Sequence, residues 1–202
     1  MPSILPYTAL VAHLRGLVPS CGDTRIVAVD GPAGSGKTTF AGRLAAASGA
    51  QVIHSDEFPV PWDGPPDAWF APLTEQVLGP LAQGRPGRFR RYDWVRGEHA
   101  EQVEVPPAPV LIVEGVAAAR RATAHLLAFT VWVEAPDELR LRRGLARDGA
   151  HLREQWEHWM RTEREWFARD DTASRADLRV DGAPSVPHDP SAEFVVLHTN
   201  IT

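Results

Sequence analysis

The chain has a single cysteine, Cys21, so an intrachain disulfide and a cysteine-rich metal site are both excluded, and a reducing compartment such as the cytoplasm suits it. No apolar run is long enough to span a bilayer, and Met1 to Ser20 lacks the basic start and apolar block of an export signal. The eight histidines never fall in H-x-x-x-H or H-E-x-x-H spacing, which argues against a zinc site. A net charge of -5 gives no general attraction to nucleic acid or to an anionic membrane, so any anion site has to be local. Lysine is almost missing as well: Lys37 stands alone among twenty arginines. Internal repeats, heptads and low-complexity tails do not occur.

An apolar fraction of 44% and a charged fraction of 23% are those of a chain that buries a core and folds, and residues 1–202 fit one domain. Residues 4–18 read as an amphipathic helix, Ile26–Asp30 (IVAVD) as a buried strand, and 37–48 as a helix after a glycine-rich turn. A short strand at 51–54 leads into a proline-rich loop at 58–66, and Asp67 is placed to cap a helix reaching Gln83. Residues 84–105 alternate charged and apolar residues as a strand-like excursion, closed by Pro106, Pro107 and Pro109. Val110–Val113 and Phe129–Val133 read as central parallel strands, each followed by helical sequence. Residues 137–168 are helical with a break near Gly149, and strands at 178–180 and 194–197 complete the pattern. Strands alternating with helices predict an α/β fold: three α/β/α layers around a mostly parallel sheet, with ligands beyond the carboxyl ends of the strands.

The segment Gly31-Pro32-Ala33-Gly34-Ser35-Gly36-Lys37-Thr38 fits G-x-x-x-x-G-K-[ST], directly after an apolar strand and before a helix. In such a P-loop, glycines let successive N–H groups turn inward, the helix amino end adds positive charge, and a lysine reaches the terminal phosphates. Gly31, Ala33, Gly34, Ser35, Gly36, Lys37, Thr38 and Thr39 are therefore the candidate ATP-binding residues, with Thr38 placed for Mg²⁺. The survival of the sole lysine at this position points the same way. Guanine-reading switches carry an asparagine-lysine-x-aspartate signature that a chain without a second lysine cannot have, which favours ATP over GTP.

Phosphoryl transfer also needs a carboxylate for the metal or its waters and one to orient and deprotonate an attacking hydroxyl. Glu114, delivered by Val110–Val113, is the candidate metal-side acid, and Asp56, at the end of the strand beside the loop helix, the candidate base. Glu57 competes with Asp56, and Asp30 could hold metal-bound water. His54 is expected to pack within its strand.

Taken in order, VDGPAGSGKTT (29–39), HSDEF (54–58), RRYDW (90–94), VEG (113–115) and RLRRGLARD (140–148) resemble the uridine kinase-like group, which includes phosphoribulokinase and bacterial pantothenate kinase, over about residues 25–182. The resemblance implies a nucleoside-kinase-like fold with a short lid over residues 140–168 and an acceptor-side role for 84–105. It implies an Mg²⁺-dependent ATP kinase that phosphorylates a small-molecule hydroxyl. Asp56 is then the acceptor-side base, with Lys37 and Arg147 also catalytic. Arg91, Tyr92, Asp93 and Trp94 form the acceptor side, and Arg143 and Arg147 come from the lid over the phosphates. Two positions depart from the group: Gly97 stands where uridine kinases place a histidine, and Gly144 where they place an arginine.

Trp156 and Trp159 share a helix face, which suits packing against the domain or against a second copy in a homodimer, and Trp62 and Trp69 flank the proline loop where an aromatic could wall a pocket. A nucleoside is the leading acceptor. Pantothenate-like, sugar and nucleoside monophosphate acceptors stand beside it, as does a P-loop ATPase acting as a switch or assembly factor.

Overall fold

A computed structural model describes residues 3–60 and 62–201. The region predicted as one helix over 4–18 divides into strand β1 (Ser3–Pro6) and helix α1 (Tyr7–Gly16). Pro6 is the reason. It sits in extended backbone at φ -78°, has no N–H to extend a ladder, and is tolerated at a helix start. The next three elements keep the predicted bounds to within a residue: β2 (Arg25–Asp30), α2 (Lys37–Ser48) and β3 (Gln51–His54).

The single helix predicted from Asp67 to Gln83 is instead α3 (Phe70–Leu73), a wide π-type turn over Thr74–Leu78, and α4 (Gly79–Ala82). Pro80 lacks the N–H that an uninterrupted helix would offer to Gln76, and the wide turn absorbs the missing bond. The Asp67 side chain does not cap; it accepts from Arg120 Nη1 at 2.7 Å. Strands β4 (Gly87–Asp93) and β5 (Glu98–Val105) then pair antiparallel as a separate two-stranded ribbon.

β6 (Val110–Glu114) and β7 (Phe129–Glu134) follow. The stretch between them, predicted helical, is a turn and a 3₁₀ segment at Arg121–Leu126. The rest is α5 (Asp137–Asp148), α6 (Arg153–Asp170), α7 (Thr172–Arg175), β8 (Leu178–Asp181) and β9 (Glu193–Thr199).

Seven strands form the main sheet in the order β1-β9-β8-β7-β2-β6-β3, parallel from β8 to β3. β9 runs antiparallel to β8 and is covered on its other side by β1, so the last strand pairs within the chain. Among the described residues no helix is long and apolar enough to cross a membrane.

β2 explains why its sequence is apolar at every interior position. Val27 and Val29 join a core with α1 and α2, while Ile26 and Ala28 face a second core with Trp69, Phe70 and Leu73. Tyr7, Phe40 and Phe194 meet pairwise at 5.1–5.3 Å and tie α1, α2 and β9 together, each contact adding about 1 kcal/mol beyond area burial. The strand that delivers the glycine loop is therefore buried on both sides, and its carboxyl end is held rigid.

Candidate functional site

The loop begins at Asp30, which is buried and fully committed. Its carboxylate accepts from Gly31 N (2.6 Å), Ala117 N (3.0 Å) and Ala119 N (2.8 Å). Burial pushes this carboxyl up to about 7, against the opposing pull of those three N–H groups and the Lys37 ammonium. The expectation that Asp30 could hold metal-bound water is corrected: its oxygens are occupied in the interior, where they tie the start of the loop to the turn after β6.

Past Asp30 the loop wraps the amino end of α2. The N–H groups of Gly34, Gly36, Lys37, Thr38 and Thr39 have no acceptor among the described residues, whereas Ser35 N donates to Pro32 O at 3.2 Å. Lys37 Nζ donates to Pro32 O at 3.1 Å. Five unsatisfied amides and an ammonium gathered at one helix start are a donor set that fits polyphosphate. From outside, Arg143 Nη1 donates to Gly34 O (3.2 Å) and Ser35 O (3.4 Å), and its Nη2 to Gly182 O (3.0 Å). Gly182 is required here, because a Cβ would overlap the Ser35 carbonyl oxygen.

At the start of α2, Thr38 Oγ1 donates to Glu114 Oε2 at 3.2 Å, so the two sequence-predicted metal-side residues are adjacent. His54 Nδ1 lies 2.7 Å from the same oxygen. This histidine does not simply pack within its strand, as expected, but turns into the cleft. The Glu114 hydrogen bond raises its pKa most, with Glu57 and Asp56 adding to the rise and burial opposing it. A hydroxyl and a carboxylate beside a phosphate loop suit Mg²⁺, which takes few protein ligands. Among the described residues no cluster of three or more His, Cys, Asp or Glu could hold a metal alone.

Thr38, His54, Asp56, Glu57, Arg91, Tyr92 and Glu114 line one cleft of about 380 Å³. Asp56 and Glu57, undecided from sequence, differ sharply in their surroundings. Glu57 is buried and engaged, accepting from His54 N (2.9 Å) and Arg91 Nε (2.7 Å). Asp56 is exposed, and among the described residues its carboxylate meets only the Ser55 hydroxyl, at 3.4 Å. Arg91 also pairs with Glu101 at 2.7 Å. Trp94 Nε1 donates to the Asp56 carbonyl at 2.6 Å, fastening the ribbon to this strand end. Asp93 is turned away into the hairpin, where its carboxylate accepts from Val95 N (2.9 Å) and Arg96 N (3.0 Å) and does not line the cleft.

Arg147 Nε and Nη2 donate to Asp148 at 2.7 and 3.0 Å. That bond raises the Arg147 pKa most, with Asp56 and Glu114 adding, and the exposed guanidinium lies over the Trp156 ring at 5.8 Å without lining the cleft. Trp156 Nε1 donates to Asp148 at 3.0 Å, and its ring packs on Gly144, where a Cβ would fall inside the indole. This explains Gly144: Trp156 fills the space of any larger side chain. Trp62 from the proline loop meets Trp156 and Trp159 edge-on at 6.0 and 6.1 Å, so both tryptophans pack within the chain, while Trp69 lies in the core.

A second cleft of about 330 Å³, on the other side of Gly36, is lined in part by Thr39, Arg43, Arg143, Gly182, Pro184 and His188. Sequence reasoning missed the residues after β8, for they form no motif and reach the loop only by the fold.

Comparison with curated proteins gives no match. Among solved structures, a protein from Bacillus stearothermophilus described as a possible uridine kinase superposes with a TM-score of 0.62 at 20% identity, over 86% of this chain and 96% of its own. One from Silicibacter sp. TM1040, described as a candidate fructose transport system kinase, gives 0.56 at 20% identity, over 85% and 92%. These likenesses show the P-loop kinase fold. The model of the "Phosphoribulokinase / Uridine kinase family" matches residues 59–162, a span beginning after the phosphate loop and therefore independent of it. That match covers just over half of the 202 residues, and the chain belongs to the phosphoribulokinase/uridine kinase family of ATP-dependent kinases.

Proposed function

We propose that this kinase transfers a phosphoryl group from Mg²⁺·ATP to a hydroxyl of a neutral, hydroxyl-rich metabolite, with nucleosides the leading class. The observation that carries the reading is the free carboxylate of Asp56 sharing one cleft with Thr38 and Glu114 at the mouth of the phosphate loop. Mg²⁺, when bound, would supply positive charge that offsets the charge of the phosphates. Thr38 and Glu114 would hold it.

The free amides of Gly34, Gly36, Lys37, Thr38 and Thr39 grip the phosphates, and Lys37 leaves Pro32 O to meet them. Asp56 accepts the proton of the attacking hydroxyl, a role for which its unengaged oxygens qualify it and for which Glu57 is already spent. Glu57 holds Arg91, and Arg91 with Tyr92 walls the acceptor, while Trp94, which does not line the cleft, packs against Tyr92. Arg147, released from Asp148, stabilises charge on the group in flight. Arg143 acts from behind, as a brace on the loop. The cleft beyond Gly36 takes the adenine, between Arg143 and the Gly182–His188 segment.

The charge of the acceptor cleft supports a neutral substrate. Three carboxylates line it against one guanidinium, which is itself paired with Glu57 and Glu101, and the His54 imidazole, which is held by Glu114. A nucleoside monophosphate would bring its dianion among them with no spare cation from this wall. Tyr92, packed edge to face with Trp94 at 5.0 Å, gives a planar ring a wall to pack on. The test is a panel of nucleosides, sugars, pantothenate and nucleoside monophosphates, scored by ADP release beyond the no-acceptor rate. Nucleosides are expected to lead. Release stimulated only by phosphorylated acceptors would overturn the neutral-acceptor reading, and no stimulation across the panel together with steady hydrolysis would favour a switch.

A further inference from the structure

Above the loop, α5 and α6 place a buried ion pair against it. Glu163 is 1% exposed and Arg140 is 4% exposed, and their side chains meet at 2.6 Å (Arg140 Nη1 to Glu163 Oε1). The other Glu163 oxygen accepts from Ala33 N at 2.8 Å, while Arg140 Nη1 also donates to Ala33 O at 3.0 Å. Arg140 Nη2 donates to Asp137 Oδ1 (2.7 Å), whose second oxygen accepts from Arg164 (2.6 Å). A carboxylate is an unusual neighbour for a loop built to bind anions, and its position calls for a physical reason.

The reason follows from the geometry of one peptide plane. In a trans peptide the N–H and the preceding C=O point opposite ways. Glu163 draws the Ala33 N–H outward, so the Pro32 carbonyl points inward, and there it accepts from Lys37 Nζ at 3.1 Å and from Ser35 N at 3.2 Å. The complementary effect runs through the carbonyls. Arg140 and Arg143 hold Ala33 O, Gly34 O and Ser35 O outward, which turns the N–H groups of Gly34, Ser35 and Gly36 inward. Helices α5 and α6 thus hold the orientation of the peptide planes from Pro32 to Gly36.

We propose that Glu163 is a positioning residue for phosphoryl transfer: by fixing the Pro32–Ala33 peptide it sets where the Lys37 ammonium rests and how it is presented to the terminal phosphate. The inference rests on the phosphate-loop role of Lys37. The Lys37 charge in turn acts on Glu163: burial pushes the Glu163 carboxyl up, while the Ala33 N–H, Arg140 and Lys37 pull it down. No local motif marks Glu163, since 130 positions separate it from Ala33.

Because Lys37 is the sole lysine, [¹⁵N]lysine labelling gives one side-chain resonance, and it reports this ammonium without any acceptor. In Glu163→Gln that resonance should move toward the value of free lysine. The preference for Mg·ATP over Mg·ADP, read by calorimetry, should shrink about tenfold, the scale of one charge-assisted hydrogen bond. Lys37→Ala should lose the same preference, and adding Glu163→Gln to it should cost little more, because both act through one group. A buried arginine left unpaired can unfold the chain, so the double variant Arg140→Gln/Glu163→Gln, in which two amides replace two charges, supplies a folded alternative. It should recover thermal stability without recovering the ATP preference. If Lys37→Ala loses the preference while both Glu163 variants keep it and leave the resonance in place, the inference falls alone. If Lys37→Ala itself keeps the preference, the phosphate-loop reading falls and takes the inference with it.

Discussion

On the loop side of the cleft, the backbone from Asp30 to Ser35 is held by the protein at several points: a buried aspartate at the start, Glu163 and Arg140 on Ala33, Arg143 on the next two carbonyls. On the ribbon side, the hairpin that carries Arg91, Tyr92 and Trp94 touches the rest of the site through few bonds, and Val95 at its tip is 97% exposed. The difference teaches where each function can change. A polyphosphate is the same in every turnover and rewards a preset cradle, since donors held in place need no reorganisation during the reaction. The base of the ribbon is built into the core through Phe89, which stacks on Phe58, and through Val105, so only its outer end beyond Phe89 can be altered without disturbing the packing.

Removing the shared chemical group tests this division most severely. Asp56→Asn should lower acceptor-dependent turnover by about 10²–10⁴-fold while leaving Mg·ATP affinity within about twofold, as kinetics and calorimetry would read. Turnover within a few-fold of wild type would take Asp56 out of the chemistry and merge the two sides. Next comes Gly182→Ala, which forces a methyl onto the Ser35 carbonyl. It should cost about 1–3 kcal/mol of stability and lower ATP affinity with it, seen by denaturant melts and calorimetry. A loop that absorbed this methyl without losing affinity would be softer than the cradle described.

The pH response sharpens the comparison further. The Asp30 carboxyl rises in the fold from its ordinary 3.8 to about 7, so its stabilising contribution is complete below 3.8 and is lost as pH rises through about 7. Thermal unfolding midpoints from pH 4 to 8 should therefore fall for the wild-type chain relative to Asp30→Asn; a flat difference would mean that this anchor does not titrate in that window. The smallest effect is expected at the ribbon tip. Val95→Ser should change stability by less than about 0.5 kcal/mol in a melt, and a loss several times larger would reveal that the tip is packed against something.

Some of this was readable from local sequence because the physics is local. The glycine-lysine-threonine segment between an apolar strand and a helix needs only neighbouring residues to form its turn, and β2, α2 and β3 lie where periodicity puts them. Proline explains two misreadings: Pro6 splits a strand from a predicted helix, and Pro80 breaks another into pieces. Asp56 could be nominated from its place at a strand end, but not separated from Glu57, because the bonds that engage Glu57 come from Arg91 and from the backbone of His54.

The amino-acid sequence by itself determined the phosphate loop, the alternation that makes a mostly parallel sheet, and the carboxylates that stand at strand ends. Tertiary structure alone decided which of those carboxylates is free, that His54 turns to Glu114, that Gly144 exists for the Trp156 ring, and that Asp93 closes a hairpin. Motifs record what a backbone turn needs from its own residues. Hydrogen bonds between positions 60 to 130 apart, such as His54 with Glu114 and Ala33 with Glu163, arise only once the sheet and helices α5 and α6 have brought those segments together.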